Sequence, residues 1–198
     1  MQPFIDFILE LDKLKAVTRR TRPLGLDRFE NSAEHSWQIA MMAATFAPLA
    51  AEPVDVDRVI RMLLVHDIGE IDVGDVIIYA EDGWEERKAA EHAALERIFG
   101  LLPEELARPF IDLWHEFEAA ETAEARFAHA VDRAMPALLN LVNHGQSWRE
   151  NGVSYEQVVA KLREPIRAGC PALWEYMDAR LEEAARSGWF GTRDTAAR

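Results

Sequence analysis

Cysteine is nearly absent from this chain: the single thiol, Cys170, rules out an intrachain disulfide and a zinc site built from several thiolates. Long apolar runs are missing as well. No window reaches the length of a membrane span, and Met1-Gln-Pro-Phe-Ile-Asp-Phe-Ile-Leu-Glu lacks the basic start and apolar stretch of a secretion signal, so the expected location is cytoplasmic, with no membrane partner. Positive charge is scarce. Lys and Arg number 22 against 35 Asp and Glu, a formal net charge of -13, which argues against wrapping a nucleic-acid polymer whose binding needs a basic face. Internal repeats and low-complexity segments are lacking too.

What is present fits one globular domain. The 198 residues are enough for one buried core and few for two, and 49% hydrophobic with 29% charged residues is the composition of a folding chain. Apolar residues recur at helical spacing in nearly every long segment, so the expected fold is an all-α, single-domain helical bundle over residues 1-198. A site-bearing core at about 30-145 would carry C-terminal helices at about 153-188 packed on it. Phe4, Phe7, Ile8, Leu11 and Leu14 mark a first helix, followed by a basic stretch holding Lys13, Lys15, Arg19, Arg20, Arg22 and Arg28, which could receive a small anion. Further helices are expected from an Asn31 or Ser32 cap to Phe46, over 56-69, 84-99, 101-118, 123-142, 155-162 and 171-186, with fraying after Gly188. Pro136 is expected to kink the helix over 123-142.

Chemistry concentrates in four residues. His35 falls on an inward stripe with Ile39, Met42 and Phe46; His66 continues the apolar stripe Val59, Met62, Leu63, with Asp67 beside it; Asp132 interrupts the apolar stripe of Ala128, Met135 and Leu139. Buried imidazoles and carboxylates are costly unless paired or metal-bound. Two neutral nitrogens and two anionic oxygens suit one divalent transition metal (Mn, Co, Fe, Ni, Cu or Zn, with Mg the less expected choice), and six-coordination would leave two open positions. That points to hydrolysis. Glu70, one turn after His66, is the candidate general base or acid, and Asp75, after Gly74, could orient water or accept a sugar hydroxyl. Arg19 and Arg20 offer planar forks of donors to a phosphate. His92 and His115 could build a second metal site, which would open two-iron oxygenase chemistry, although a helix-face histidine is more often packing; His129 could orient Asp132. The Trp residues read as core or interface rather than a stacking platform for bases.

With these residues in place, the chain resembles the HD-domain superfamily of metal-dependent phosphohydrolases, and within it most closely the HD-domain 5'-deoxynucleotidases. The resemblance rests on Asn31-Ser32-Ala33-Glu34-His35-Ser36, on Leu64-Val65-His66-Asp67-Ile68-Gly69-Glu70 followed by Gly74-Asp75, on Leu102-Pro103-Glu104-Glu105 and on Ala130-Val131-Asp132. It implies a helical bundle, usually a homodimer, that removes the 5'-phosphate from deoxyribonucleoside monophosphates. It assigns His35, His66, Asp67 and Asp132 to the metal, Glu70 to the attacking water, Asp75 to the sugar or water, and Arg19 to the phosphate. Where bacterial members carry an aromatic residue after that arginine, this chain has Arg20. The alternatives are an HD-domain phosphodiesterase, a nucleotide pyrophosphohydrolase, or a nucleotide-binding module without turnover.

Overall fold

The computed structural model describes residues 1-79 and 83-191. In chain order the helices are α1 (Gln2–Leu11), extended by a 3-10 turn (Asp12–Ala16), α2 (Ser32–Phe46), α3 (Val56–Val65), α4 (Glu70–Val73), α5 (Trp84–Phe99), α6 (Glu104–Ala119), α7 (Ala123–Val142), α8 (Gln146–Glu150), α9 (Tyr155–Gly169) and α10 (Pro171–Arg186). The all-α expectation is met. Among the described residues there is no β-strand, only one isolated bridge between Thr18 and Asn31.

Local chemistry sets the helix starts that matter for the site. Asn31 Oδ1 accepts from the Glu34 amide at 2.9 Å, and Glu34 Oε2 accepts from the Asn31 amide at 3.2 Å, so two donors of the first turn are satisfied reciprocally. That box fixes the phase of α2. Ser32, His35, Ser36 and Ile39 therefore face inward and Trp37 and Met41 face out. α3 starts under the Asp55 side chain and buries Val59, Met62 and Leu63 along one stripe.

α3 ends sooner than the expected Gly69. After His66 the amides of Ile68, Glu70, Ile71 and Asp72 each reach back three residues, a series of tight turns that swings the chain into the one-turn helix α4. Packing explains the corner: a Cβ on Gly69 would sit 2.8 Å from the Glu91 carbonyl oxygen of α5, so only glycine lets the two segments meet. Gly74, at φ 77, then reverses the backbone to present Asp75.

α7 is the axis of the bundle and touches α2, α3, α6, α8, α9 and α10. Its buried Ala125, Ala128, Ala130, Ala134 and Ala137 are small enough to let neighbours approach closely. α9 and α10 bring Leu162, Ile166, Met177 and Leu181 into the core, each contributing about 1.5 to 3 kcal/mol on burial. α9 also runs past the expected end at Leu162. Pro165 removes one backbone bond, to the Lys161 carbonyl, while buried Ile166 holds the next turn in place. α7 likewise continues through Pro136, leaving the Asp132 carbonyl without its helical donor.

Other boundaries also moved. α6 begins at Glu104 because Pro103 occupies its cap, and α8, which the sequence did not suggest, follows Gly145 at φ 70. The segment after Gly188 is pinned as far as it is described: the Gly191 amide donates to the Val153 carbonyl at 2.8 Å and Phe190 stacks on Trp148. The remainder of the expected frayed tail, 192-198, lies outside the described residues, as does the side chain of Trp84. Trp114, Trp148 and Trp174 are core, whereas Trp37 is exposed.

Candidate metal centre

Three helices meet at one point. α2 brings His35, the end of α3 brings His66, and α7 brings Asp132, so that one ligand atom from each lies within 4.8 Å of the others. His35 Nε2 is 3.0 Å from Asp132 Oδ1, and His66 Nε2 is 3.7 Å from the same oxygen. Asp67 stands outside that trio but adjoins it, with Oδ1 at 3.0 Å from His66 Nε2.

The far side of each ring is also arranged. His66 Nδ1 donates to the Leu63 carbonyl at 2.8 Å, an assignment that leaves Nε2 as the lone-pair nitrogen facing the carboxylates. His35 Nδ1 faces Glu30 Oε2 at 3.8 Å. Glu30 is itself buried and accepts from Thr21 Oγ1 at 3.1 Å. Its carboxyl is raised above the ordinary value, first by burial and against the nearby Arg19 charge.

The chemistry of this set can be tested for a metal directly. His66 Nε2 is buried and makes no hydrogen bond among the described residues, although it lies between Asp67 and Asp132. A buried nitrogen aimed at two carboxylates calls for a proton or a cation. Without an ion the proton is held hard: burial lowers the His66 pKa, but the Asp67 charge and its contacts with both carboxylates outweigh that and push it up to about 10. His35 goes the other way, to about 4, because burial and then the Arg19 charge disfavour its cation. Asp132 sits well below the usual carboxylate range because its hydrogen bond to His35 and its approach to His66 overcome its burial. The donor set fits one divalent cation.

Arg19 ties the remaining acids together. Its Nη1 lies 3.2 Å from both Asp67 Oδ2 and Asp75 Oδ1, and its Nε lies 3.4 Å from Glu30 Oε2. Glu70 is buried and accepts from Ser32 Oγ at 2.6 Å through Oε2. Burial, then the charges of Asp67 and Asp75, push its pKa up to about 9. Asp75 is raised too, by burial first.

These groups line a cleft of about 1130 Å³, with His66, Asp67, Glu70, Asp75 and Asp132 on its wall beside Arg19. A second cavity of about 530 Å³ shares Arg19, Asp75 and Asp132, and adds Arg20, Ile77 and Tyr79. Arg20 thus lies on the smaller cavity rather than among the candidate ligands. The rest of the basic stretch is spent elsewhere: Lys13 pairs with Glu10, Lys15 with Asp12, Arg28 with Glu34, and Arg22 with Asp27 and Glu150. It is not an anion site as a whole.

Two histidine expectations change. His129 donates from Nε2 to the Phe117 carbonyl at 2.7 Å and stacks on the Phe117 ring, which packs on His66; it props the ring of a candidate ligand rather than orienting Asp132. His92 and His115 do approach, at 5.0 Å between ring centres, yet among the described residues no third ligand completes a set with them. Sequence reasoning did not single out Glu30, the Ser32 contact to Glu70, or Arg133. Glu30 stands just before the capping box, but one residue type at one position carries no sign of facing a histidine.

A family profile described as the HD domain matches residues 11–174. The chain belongs to the HD-domain family. As an HD domain it is similar over nearly its whole length to the crystal structure of a predicted metal-dependent phosphohydrolase from Magnetospirillum magnetotacticum: 44% identity, a TM-score of 0.88, and 96% of this chain covering 97% of that one. Among curated proteins it is 29% identical over 188 residues to the 5'-deoxynucleotidase HDDC2 of Xenopus laevis, covering 91% of this chain and 92% of that protein. The 5'-deoxynucleotidase of Erwinia tasmaniensis is 30% identical over 168 residues, covering 79% and 84%. The crystal structure of a Pyrococcus horikoshii protein, at 22% identity and a TM-score of 0.61, shares the fold.

Proposed function

We propose that this HD domain is a metal-dependent 5'-deoxynucleotidase that releases phosphate from deoxyribonucleoside 5'-monophosphates. The observation that carries the reading is the buried, unpartnered His66 Nε2 between two carboxylates on the wall of an open cleft. The relatives named 5'-deoxynucleotidase and the related phosphohydrolase structure support the substrate and reaction class.

His35, His66, Asp67 and Asp132 would hold one divalent transition ion among Mn, Co, Fe, Ni, Cu and Zn. When bound, such an ion supplies a Lewis acid that polarises a phosphoryl oxygen and acidifies water. The chain's own residues do the remaining work. Glu70, fixed through Oε2 by Ser32, has Oε1 free to take the proton of the attacking water. Its buried, acid-flanked setting keeps Glu70 protonated in the ion-free protein, and the positive charge of a bound ion would lower its pKa and free the carboxylate to act as the base. Arg19 holds Asp67 and Asp75 through Nη1, so those two carboxylates move as one piece, and its Nη2, which makes none of these contacts, is available to a phosphate oxygen. Asp75 faces both cavities and is placed to receive a sugar hydroxyl or a water. Arg20 borders the smaller cavity, so a cation replaces the aromatic wall expected there and alters discrimination at the sugar.

A homodimer is part of the proposal. Phe4, Ile5, Ile8 and Leu9 leave an apolar face exposed on α1, and Trp37 and Met41 leave another, one turn apart, on α2. No helix of the described residues is long and apolar enough to cross a membrane; the cytoplasmic placement rests on the near absence of cysteine.

The test is phosphate release from paired ribo- and deoxyribonucleoside monophosphates, a cyclic nucleotide and ppGpp, with Mn, Co, Mg and Zn restored after chelation. Preferential turnover of the deoxy monophosphates with a transition ion is expected. Opening of the cyclic nucleotide or release of pyrophosphate, with monophosphates untouched, would reassign the site to a phosphodiesterase or a pyrophosphohydrolase.

A further inference from the structure

Five cationic side chains line the larger cleft of a chain whose net charge is -13: Arg19, Arg87, Lys88, Arg133 and Lys161. Three of them are already engaged. Arg19 serves Glu30, Asp67 and Asp75; Arg87 pairs with Glu91 at 2.8 Å and donates to the Gly74 carbonyl; Lys88 pairs with Glu118. The other two differ. Among the described residues Arg133 makes a single long ion-pair contact, Nε to Asp132 Oδ2 at 3.8 Å, and Lys161 makes none.

Arg133 also occupies an unusual place. It is one of six residues on the walls of both cavities, its side chain is 28% exposed, and it follows Asp132 directly on α7. Asp132 turns Oδ1 to the two histidines and Oδ2 toward this guanidinium. Among the described residues Arg133 is therefore the least committed guanidinium next to the candidate metal ligands. Across the cleft, burial and then the Arg133 charge lower the Lys88 ammonium pKa against the pull of Glu91, as expected if the guanidinium points into shared space.

Charge counting gives this placement a purpose. Two histidines and two aspartates balance one divalent ion, and Arg19 is more than balanced by Glu30 and Asp75, so neither offers net attraction to a dianion. We propose that Arg133, assisted by Lys161 of α9, is a second phosphate-contacting residue of this cleft and selects dianionic phosphomonoesters over monoanionic diesters. The proposal deepens the phosphatase reading and rests on it for the identity of the substrate, but the anion subsite itself can be probed without turnover.

The experiment is calorimetric titration of inorganic phosphate, and separately of dimethyl phosphate, into the metal-loaded protein. Arg133→Ala should weaken phosphate binding by about 10- to 100-fold, the usual worth of a charge-assisted hydrogen bond, with metal content and melting temperature near wild type. Lys161→Ala should weaken it less, Arg133→Lys should recover part of the loss, and Arg167→Ala, also on α9 but absent from the cleft wall, should change nothing. Wild type should bind dimethyl phosphate far more weakly than phosphate, and Arg133→Ala should narrow that gap. Phosphate affinity in Arg133→Ala equal to wild type would overturn the proposal. If Arg133→Ala fails to fold, Arg133→Gln against Arg133→Lys reads the same contrast. A wild type that binds phosphate through Arg133 yet hydrolyses no nucleoside monophosphate would sink the nucleotidase reading alone; turnover with phosphate binding indifferent to Arg133 would sink the subsite alone.

Discussion

Two pairs of histidines sit at nearly the same separation in this molecule and have different fates. The rings of His35 and His66 are 5.8 Å apart, and those of His92 and His115 are 5.0 Å apart. Proximity does not separate them. His35 and His66 are buried with Asp67 and Asp132 at their nitrogens, and a ring nitrogen is left without a hydrogen bond. His92 keeps 41% of its side chain in solvent, packs its ring near Trp114, and has one glutamate, Glu96, at 3.7 Å. Water satisfies an exposed imidazole at little cost, whereas a buried one with an unmet nitrogen costs several kcal/mol until a proton or cation arrives. The difference teaches that a metal centre is marked by an unmet need for positive charge where water cannot supply it.

The largest way to break the contrast is to remove the carboxylate that both buried rings share. Asp132→Ala should abolish ion binding, read as metal content after dialysis, and should reduce phosphate release by about 10³-fold. Glu70→Gln should separate binding from chemistry: the ion stays, and turnover falls by about 10²-fold or more. An undiminished rate would remove Glu70 from its assigned role. Glu30→Gln acts one step further out, on the carboxylate facing His35 and Arg19, and should weaken metal affinity by roughly 10- to 100-fold while leaving the helices folded, as followed by metal-buffer titration and circular dichroism.

A smaller effect follows from pH. In the ion-free protein His66 holds its proton up to about 10, because the Asp67 charge and the carboxylate contacts outweigh burial, while His35, lowered to about 4, carries none at neutral pH. The His66 proton must leave when an ion binds. Apparent metal affinity should therefore rise at least tenfold per pH unit between about 6 and 9, with at least one proton released per ion, measurable by calorimetry in buffers of different ionisation enthalpy. A flat profile would mean that His66 is not a ligand.

Much of this centre was legible before any coordinates. The Asn31 and Glu34 pair announced the start of α2 and thus the inward phase of His35, and Asp132 stood out because a carboxylate interrupted an apolar stripe. Helical period carries such information because it depends on near neighbours. What period cannot carry is the meeting of distant segments. Arg19 reaching Glu30, Asp67 and Asp75, and Ser32 holding Glu70, each join residues that the chain brings together only by packing α2, α4 and the first loop into one corner. Two helix ends differ from the expected bounds. Pro165 did not end α9, since burial of Ile166 outweighs one lost backbone bond, and α3 stopped at Val65 although no proline or glycine stands there, because the corner at Gly69 had to meet α5.

The central claim is that burial and charge, not the nearness of two imidazoles, make the metal site. Ion stoichiometry of the wild type beside the His92→Ala/His115→Ala double variant tests it most directly, with phosphate release followed in parallel. The account predicts one ion per chain in both proteins, unchanged turnover, and a stability difference within about 0.5 kcal/mol. Two ions in the wild type and one in the double variant would contradict it.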